Sequence, residues 1–310
     1  MIGLIAGLLL GFSTQAPATH TLVVTGVGGE AKYRDAFVNQ AGTLITNLVE
    51  QYGVHPAEIV WLAETTDRAP DRISGRSTRE RVVMEIQRIA KAAAPNDRVL
   101  VVFIGHGSDV GEPKLNLPGP DLGATELGVL LESLPTQLVA LVFGASASGG
   151  FVERLQAPNR LVVTATKTGF ERNETVFATV FARAFGGEAA DTDKDGRLSL
   201  AEAFEFTTHE VARLYESDNK LQTEHARLSD STLARRFVFV PGGVRAAPVA
   251  GDSLTEALLL QKAKLERDIE SLRALRGTID PVEYDRRLED LIIELATVNR
   301  RLREREGVPP

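Results

Sequence analysis

Apolar runs of strand length alternate along the chain with segments of helical periodicity. We predict strands over 20–27, 58–62, 98–104, 137–143 and 160–164, with a further one at 236–240. Helical spacing of apolar residues predicts helices over 33–52, 78–94, 124–134, 174–185 and 200–215. Strands and helices that alternate at these lengths are typical of an α/β sandwich with a mostly parallel sheet and right-handed crossovers.

Hydroxyl side chains mark two of the predicted helix starts. Ser77 is a suitable N-cap, and Glu80 three residues later completes a capping box. Ser199 is the predicted N-cap of the helix at 200–215. Both assignments are local, because they depend only on residues within one helical turn.

The C-terminal segment has a different pattern. After a linker over 241–252, Ser253 and Glu256 predict a helix to about residue 276, and Asp280 and Pro281 predict a second one. Apolar residues recur in both at spacings near three and four, at Leu258, Leu265, Ile269, Leu272, Tyr284, Leu288, Leu291, Leu295, Val298 and Leu302. Residues 253–306 therefore predict a helical hairpin. Its stripe packs on its own partner helix, on the main domain or, by self-association, on another chain.

Composition narrows the class of protein. The chain has 310 residues, of which 43% are hydrophobic and 25% charged, so it can form a core of ordinary size. The formal net charge of −7 argues against nucleic acid as a partner. The chain contains no cysteine, which excludes disulfides, thiolate metal ligands and a cysteine nucleophile.

The first residues predict export. Residues 1–12 form an apolar run of signal-peptide length, and Ala16-Pro17-Ala18 follows at a suitable cleavage distance, although no Lys or Arg precedes the run. We expect residues 1–18 to be removed and the protein to be periplasmic or extracellular, with no stable membrane span after processing. The alternatives are a membrane anchor, if the segment is retained, and a buried first element.

An acidic segment at 191–202 has the spacing of an EF-hand calcium loop. Oxygen-bearing side chains occupy positions 1, 3, 5, 9 and 12, a glycine occupies position 6, and the backbone carbonyl of position 7 is the remaining ligand of this pattern. The predicted Ca²⁺ ligands are Asp191, Asp193, Asp195, Arg197 (through its backbone), Ser199 and Glu202. We expect one structural calcium ion, because the chain contains no second loop of this kind. The alternative is a solvated acidic turn before a helix.

Two predicted strands end in residues that can carry chemistry. His106 follows the strand at 98–104, and Ser146 and Ser148 follow the strand at 137–143. Parallel strands deliver such residues to one edge of a sheet, where active sites gather. The histidine is a candidate general base and the serines are candidate nucleophiles. The alternative for the serines is a tight turn that needs small residues, and the Gly-x-Ser-x-Gly elbow is incomplete because Ser148 stands where its second glycine should be.

The order of these motifs resembles the caspase-like cysteine peptidases, the legumain branch in particular. In that family a strand ending in His-Gly is followed, about forty residues later, by a strand ending in acidic-Ala-Cys-x-Ser-Gly. The stretch Gly28-Gly29 before Tyr33-Arg34 is similar to the legumain sequence after the first strand, and 163–166 is similar to a segment that lines the family's specificity pocket. The resemblance covers residues 19–240. It implies a three-layer caspase-like sandwich, with Arg34 and Thr166 beside the substrate pocket.

Departures from the family pattern decide the expected function. Ser146 stands at the position of the nucleophilic cysteine, and Gly144 at the position of the acidic residue. A hydroxyl is far less acidic than a thiol and needs an oriented base, so we expect most peptidase activity to be lost. The expectation is an inactive pseudo-peptidase that binds calcium and a peptide or protein in the relic cleft. The alternatives are an active hydrolase that uses Ser146 or Ser148 with His106, and a calcium-dependent assembly module.

Overall fold

The computed structural model describes residues 17–241 and 280–306 and, between these ranges, residues 258, 261, 262, 264, 265, 268, 269, 272 and 273. The predicted signal peptide lies outside the described residues except for its last two positions. The predicted linker beyond Pro241 and the predicted Ser253–Glu256 capping box also lie outside them. Within the described ranges, no helix combines the length and the apolar content that crossing a membrane requires.

The main domain contains twelve strands among the described residues, seven of which form one central sheet. In chain order they are β1 (Thr19–Thr25), β2 (Ile59–Ala63), β3 (Gly75–Arg76), β4 (Arg98–Ile104), β5 (Gly107–Val110), β6 (Glu112–Leu115), β7 (Leu122–Gly123), β8 (Leu138–Phe143), β9 (Arg160–Thr164), β10 (Leu198–Ser199), β11 (Arg227–Leu228) and β12 (Val238–Phe239). Seven of them form the central sheet in the order β11-β9-β8-β4-β1-β2-β3. Its neighbours pair in parallel except β11, which runs antiparallel to β9.

Helices cover both faces of this sheet. They are α1 (Ala31–Glu50), α2 (Arg79–Ala92), α3 (Ala124–Leu131), α4 (Phe151–Leu155), α5 (Phe177–Ala184), α6 (Leu200–Ser217) and α7 (Ser231–Arg236). The C-terminal helix α8 (Pro281–Glu306) belongs to neither face and packs in a separate apolar cluster. One apolar core lies between the sheet and α1, α5, α6 and α7, and a second lies between the sheet and α2, α3 and α4. Alternate residues of β1 serve the two cores, since Val23 belongs to the first and Leu22 and Val24 to the second. The predicted three-layer α/β sandwich with a mostly parallel sheet is therefore confirmed.

The start of α2 differs from the prediction by one residue. Thr78 is the N-cap, and its hydroxyl accepts a hydrogen bond from the Arg81 N–H at 3.3 Å. Ser77 is fully buried, and its hydroxyl donates to the carbonyl oxygen of Thr25 at 2.7 Å. The predicted Ser77 cap was wrong because a bond across the sheet, which local spacing cannot show, occupies that hydroxyl.

The last predicted strand of the main domain forms, but not in the central sheet. β12 pairs antiparallel with β10, which lies inside the acidic segment at 191–202. A small sheet of β5, β6 and β7, which we did not predict, follows β4 directly. Both small sheets are built from strands of two to four residues, too short for a periodic pattern to be visible.

The C-terminal stripe packs within the hairpin. Asp280 caps α8 by accepting hydrogen bonds from the N–H groups of Val282 and Glu283 at 3.0 and 3.1 Å, which confirms this predicted helix start. The stripe forms an apolar cluster of its own, made of Leu258, Leu265, Ile269, Leu295, Val298 and Leu302, with Leu288 and Leu291 against it. Within the described residues, the apolar stripe therefore packs on the partner helix of the hairpin, and self-association stays a prediction.

Candidate functional site

The ends of β4 and β8 bring two of the predicted site segments together. The strands are parallel neighbours, with Phe103 beside Phe143, so both chains leave the sheet at the same edge. The Gly107 N–H lies 3.5 Å from the Ser146 hydroxyl oxygen, at the outer limit of a hydrogen bond. A Cβ at Gly107 would lie 2.5 Å from the Ser146 carbonyl oxygen, so the close approach of these two turns requires glycine there.

His106 is held by aromatic rings. Its half-exposed imidazole lies edge-on to Tyr33 and Phe37 of α1, with ring centroids 5.1 and 5.2 Å away. Across residues 17–241 and the described C-terminal positions, no side-chain hydrogen bond reaches either ring nitrogen. A histidine that activates a hydroxyl is normally oriented by a third group, and this arrangement does not supply one.

Ser146 is nearly sealed from solvent. It is 4% exposed, and the long contact with Gly107 is the hydrogen bond found for its hydroxyl among the described residues. Ala147, directly after it, has a φ of 52°, and its N–H donates to the Glu171 carbonyl oxygen at 2.8 Å. A left-handed alanine is strained, so this turn persists because contacts around it enforce it.

Ser148 and Thr166 bond to each other inside the fold. Both are fully buried, and the Thr166 hydroxyl oxygen accepts hydrogen bonds from the N–H groups of Ser148 at 2.8 Å and Gly149 at 3.1 Å. The two hydroxyl oxygens lie 3.2 Å apart. Thr166 thus stabilises the turn after β8, and Ser148 presents no surface to a substrate. That Thr166 lines a substrate pocket stays a prediction.

Arg34 lies apart from that network. Its guanidinium donates to the carbonyl oxygen of Gly29 at 2.7 Å, and its backbone packs so closely on Gly28 that a Cβ there would lie 2.6 Å from the Arg34 nitrogen. The half-exposed side chain thereby stabilises the turn between β1 and α1. That Arg34 lies beside a substrate pocket stays a prediction.

Gly144 leaves no room for the side chain that the family pattern has at its position. A Cβ at Gly144 would lie 2.8 Å from the Ala178 Cβ on α5 and 3.4 Å from the Phe103 carbonyl oxygen. The Thr175 hydroxyl closes the same region by donating to the Gly144 carbonyl oxygen at 2.8 Å. The packing of α5 against this edge therefore depends on glycine.

The second candidate site is the acidic segment at 191–202, which we call the acidic loop. Three of its predicted ligands, Asp191, Asp193 and Asp195, place carboxylate oxygens within 4.8 Å of one another. The turn is tight, with φ of 57° at Lys194 and 78° at Gly196. This cluster suits a hard cation that prefers oxygen ligands.

Glu202, the predicted ligand at position 12, lies outside that cluster. One of its oxygens accepts from the Thr192 N–H at 3.1 Å, and the other accepts from the N–H and the hydroxyl of Ser199 at 2.9 and 2.8 Å. Ser199 and Glu202 thereby form a full capping box for α6, which confirms the predicted N-cap. To bind a cation, Glu202 would exchange some of these bonds for the metal, and the Arg197 carbonyl would supply the backbone oxygen.

Burial raises the pKa of two carboxylates of the acidic loop, Glu202 and Asp191. It raises the pKa of Glu202 to about 7, and the charges of Asp193 and Asp195 act in the same direction. Burial also raises the pKa of Asp191, although the Gly196 N–H favours its charged form. Burial raises the pKa of the neighbouring Tyr52 to about 12, helped by the charges of Asp191 and Glu202.

Two residues of the C-terminal hairpin contact the acidic loop, and we did not predict either of them. The Lys262 ammonium lies against Asp195 and 3.4 Å from Asp193. The Asn299 amide of α8 donates to the Asp193 carbonyl oxygen at 3.1 Å. The sequence does contain one indication of the Lys262 contact. Lys262 lies four residues after Leu258 and three before Leu265, so a charged residue occupies a position where the repeat predicts an apolar one.

Comparison with known proteins finds similarity among solved structures but not among family models or curated proteins. No family model matches the chain, and a search of curated proteins finds no match. Among solved structures, the chain is similar to caspase-1 from Spodoptera frugiperda, at 14% sequence identity and a TM-score of 0.47, over 75% of this chain and 92% of that one.

Proposed function

We propose that this chain is an exported, catalytically inactive pseudo-peptidase of the caspase/legumain type that binds one calcium ion and acts as a binding or scaffolding protein. The observation that carries the proposal is that Ser146 is buried and that, in the part of the chain the structure describes, no base lies beside its hydroxyl. Ser146, at the nucleophile position, is 4% exposed, its hydroxyl lies next to a backbone N–H, and no side-chain base among the described residues bonds to it. Serine nucleophiles need such a base within about 2.6–3.2 Å.

Three further features support inactivity. His106 has aromatic neighbours in place of an orienting acid. Ser148 is committed to Thr166, so it does not replace Ser146 as a nucleophile. The packing at Gly144 excludes a side chain where the family pattern has a carboxylate. Each of these would have to change before the edge of the sheet could hydrolyse a peptide.

A binding role is supported by apolar side chains near the same edge. Val110, the last residue of β5, is 78% exposed, and Phe170, in the segment after β9, is 88% exposed. Gly169 is packed so tightly on Asp109 that a Cβ would overlap its side chain, which brings the two segments together. The partner we propose is a peptide or protein segment that places apolar side chains on Val110 and Phe170.

The calcium site we propose uses Asp191, Asp193 and Asp195 as side-chain ligands. The carboxylates converge, and burial, together with the neighbouring carboxylate charges, raises the pKa values of Asp191 and Glu202. Loop positions 8 and 9 are paired with β12, so a bound ion would connect the loop to the main domain and would help to fix the start of α6. Export is supported by the pattern of residues 1–18 alone.

Covalent labelling tests the inactive site. Wild-type protein is incubated with a serine-directed fluorophosphonate, alongside the Ser146→Ala and Ser148→Ala variants, and adducts are mapped by mass spectrometry. We expect no adduct on Ser146, and equal background on all three proteins. Labelling of the wild type that Ser146→Ala abolishes and Ser148→Ala retains would show a working nucleophile and establish the hydrolase alternative.

A further inference from the structure

Lys262 binds the acidic loop through the carboxylate oxygens that the loop itself leaves open. Within the loop, one oxygen of Asp193 accepts the Asp195 N–H at 3.0 Å, and one oxygen of Asp195 accepts the Arg197 N–H at 2.8 Å. The Lys262 ammonium lies against the second oxygen of each carboxylate. These second oxygens are the ones that a cation in the loop would take.

The position of Lys262 in its helix indicates that its contact with the acidic loop favours one arrangement of the hairpin on the main domain. Its side chain is 16% exposed and continues the stripe formed by Leu258 and Leu265. A lysine at an apolar position of such a stripe costs stability unless its charge finds a partner, and it thereby selects one register. The acidic loop supplies that partner.

Asn299 makes a second contact of the hairpin with the loop, and this contact is incomplete. The residue is 1% exposed, and its amide nitrogen donates to the Asp193 carbonyl oxygen. Its side-chain oxygen is buried with no hydrogen-bond partner among the described residues. A buried oxygen without a partner destabilises the docked state of the hairpin. The ion pair of Lys262 with the acidic loop acts in the opposite direction and favours docking.

We infer that a divalent cation and the Lys262 ammonium compete for the acidic loop, so that cation binding releases the C-terminal hairpin from the main domain. This inference rests on the proposed calcium site. A cation that binds the second oxygens of Asp193 and Asp195 would lie within a few ångströms of the ammonium, and two positive charges at that distance in a part-buried site repel strongly. The ammonium must leave, and the hairpin loses its charged contact.

The competition is reciprocal. If the docked hairpin weakens cation binding, the bound cation weakens docking by the same factor. Coupling between two sites is typically about 5- to 150-fold in affinity. Removing the charge of Lys262 should therefore tighten cation binding by about tenfold, within that range.

The test measures Ca²⁺ binding to the full chain by calorimetry. The Lys262→Met variant keeps the length and the apolar stem of the side chain but removes its charge. Lys264→Met is the matched control, since Lys264 is exposed and pairs with Asp268 at 3.2 Å on the same helical segment. We expect Lys262→Met to bind Ca²⁺ about tenfold more tightly than wild type, and Lys264→Met to bind as wild type does.

Hydrogen exchange on the wild-type protein gives a readout that needs no variant. We expect Ca²⁺ to increase exchange of the α8 amides and to decrease exchange within residues 191–202. Equal Ca²⁺ affinity in wild type and Lys262→Met, with unchanged α8 exchange, would overturn the competition and leave the calcium site standing. Absence of binding in both proteins would instead remove the calcium site, and the competition with it.

Discussion

The turn after β8 and the acidic loop differ in how their polar groups are satisfied. In the turn, the hydroxyls and N–H groups of Ser148, Gly149 and Thr166 bond to one another. In the acidic loop, several carboxylates lie close together, and Lys262 comes from a distant segment to pair with those of Asp193 and Asp195. Polar groups that bond to one another have few free donors or acceptors for a ligand, whereas clustered carboxylates attract a positive charge from elsewhere in the molecule.

The largest effect we predict is the loss of stability in Gly149→Ala. A Cβ there would overlap the backbone of Lys167 and Thr168, which cannot move aside as a flexible side chain can. We expect a loss of about 4 kcal/mol in the free energy of unfolding, at the high end for single substitutions. Urea denaturation measures it. Gly128→Ala in α3 is the control, since its Cβ would meet Leu155 at an ordinary 3.6 Å and should be neutral or stabilising. Equal behaviour of the two variants would show that the turn is not tightly packed.

Calcium should stabilise the protein through the acidic loop. At a free concentration of 100 times its dissociation constant, a ligand that binds only the folded state adds about 2.7 kcal/mol. Thermal unfolding in excess Ca²⁺ and in chelator measures this difference, with Asp191→Asn as the variant that removes the negative charge of one ligand and Asp218→Asn, outside the loop, as the control. A melting temperature that Ca²⁺ leaves unchanged in the wild type would count against the site.

A smaller effect is expected from the hydroxyl of Thr166. Thr166→Val would leave the N–H groups of Ser148 and Gly149 buried without an acceptor, at a cost of about 1–3 kcal/mol. Thr166→Ser retains the oxygen and should restore most of that stability. Chemical denaturation of the two variants checks the difference. A valine variant as stable as the serine variant would show that the turn does not depend on this network.

The main domain was predictable from sequence where periodicity is strong. The strands β4 and β9 have the predicted limits, because each is an apolar run that is buried on both faces of the sheet. The capping box of Ser199 and Glu202 was predictable because it lies within one turn. Ser77 was misassigned because its hydroxyl bonds to Thr25, which is 52 residues away.

The candidate sites were predictable only in part, because several of their contacts join residues that are far apart in the chain. Sequence spacing located His106 and Ser146 and the carboxylates of the acidic loop. It did not show that Ser148 is bonded to Thr166, or that Lys262 reaches Asp195, 67 residues away in the chain. Contacts at such separations depend on how whole elements pack. A local pattern can mark a residue such as Lys262 as unusual, but it does not show which residue it contacts.

The most direct test of the central claim, that the edge bearing His106 and Ser146 has lost its chemistry, is a hydrolysis assay on a diverse peptide library. Cleavage by wild-type protein is compared by mass spectrometry with cleavage by Ser146→Ala and His106→Ala. We predict the same background rate for all three proteins, with and without Ca²⁺. Wild-type cleavage at defined sites that both variants lose would contradict the account and establish an active peptidase.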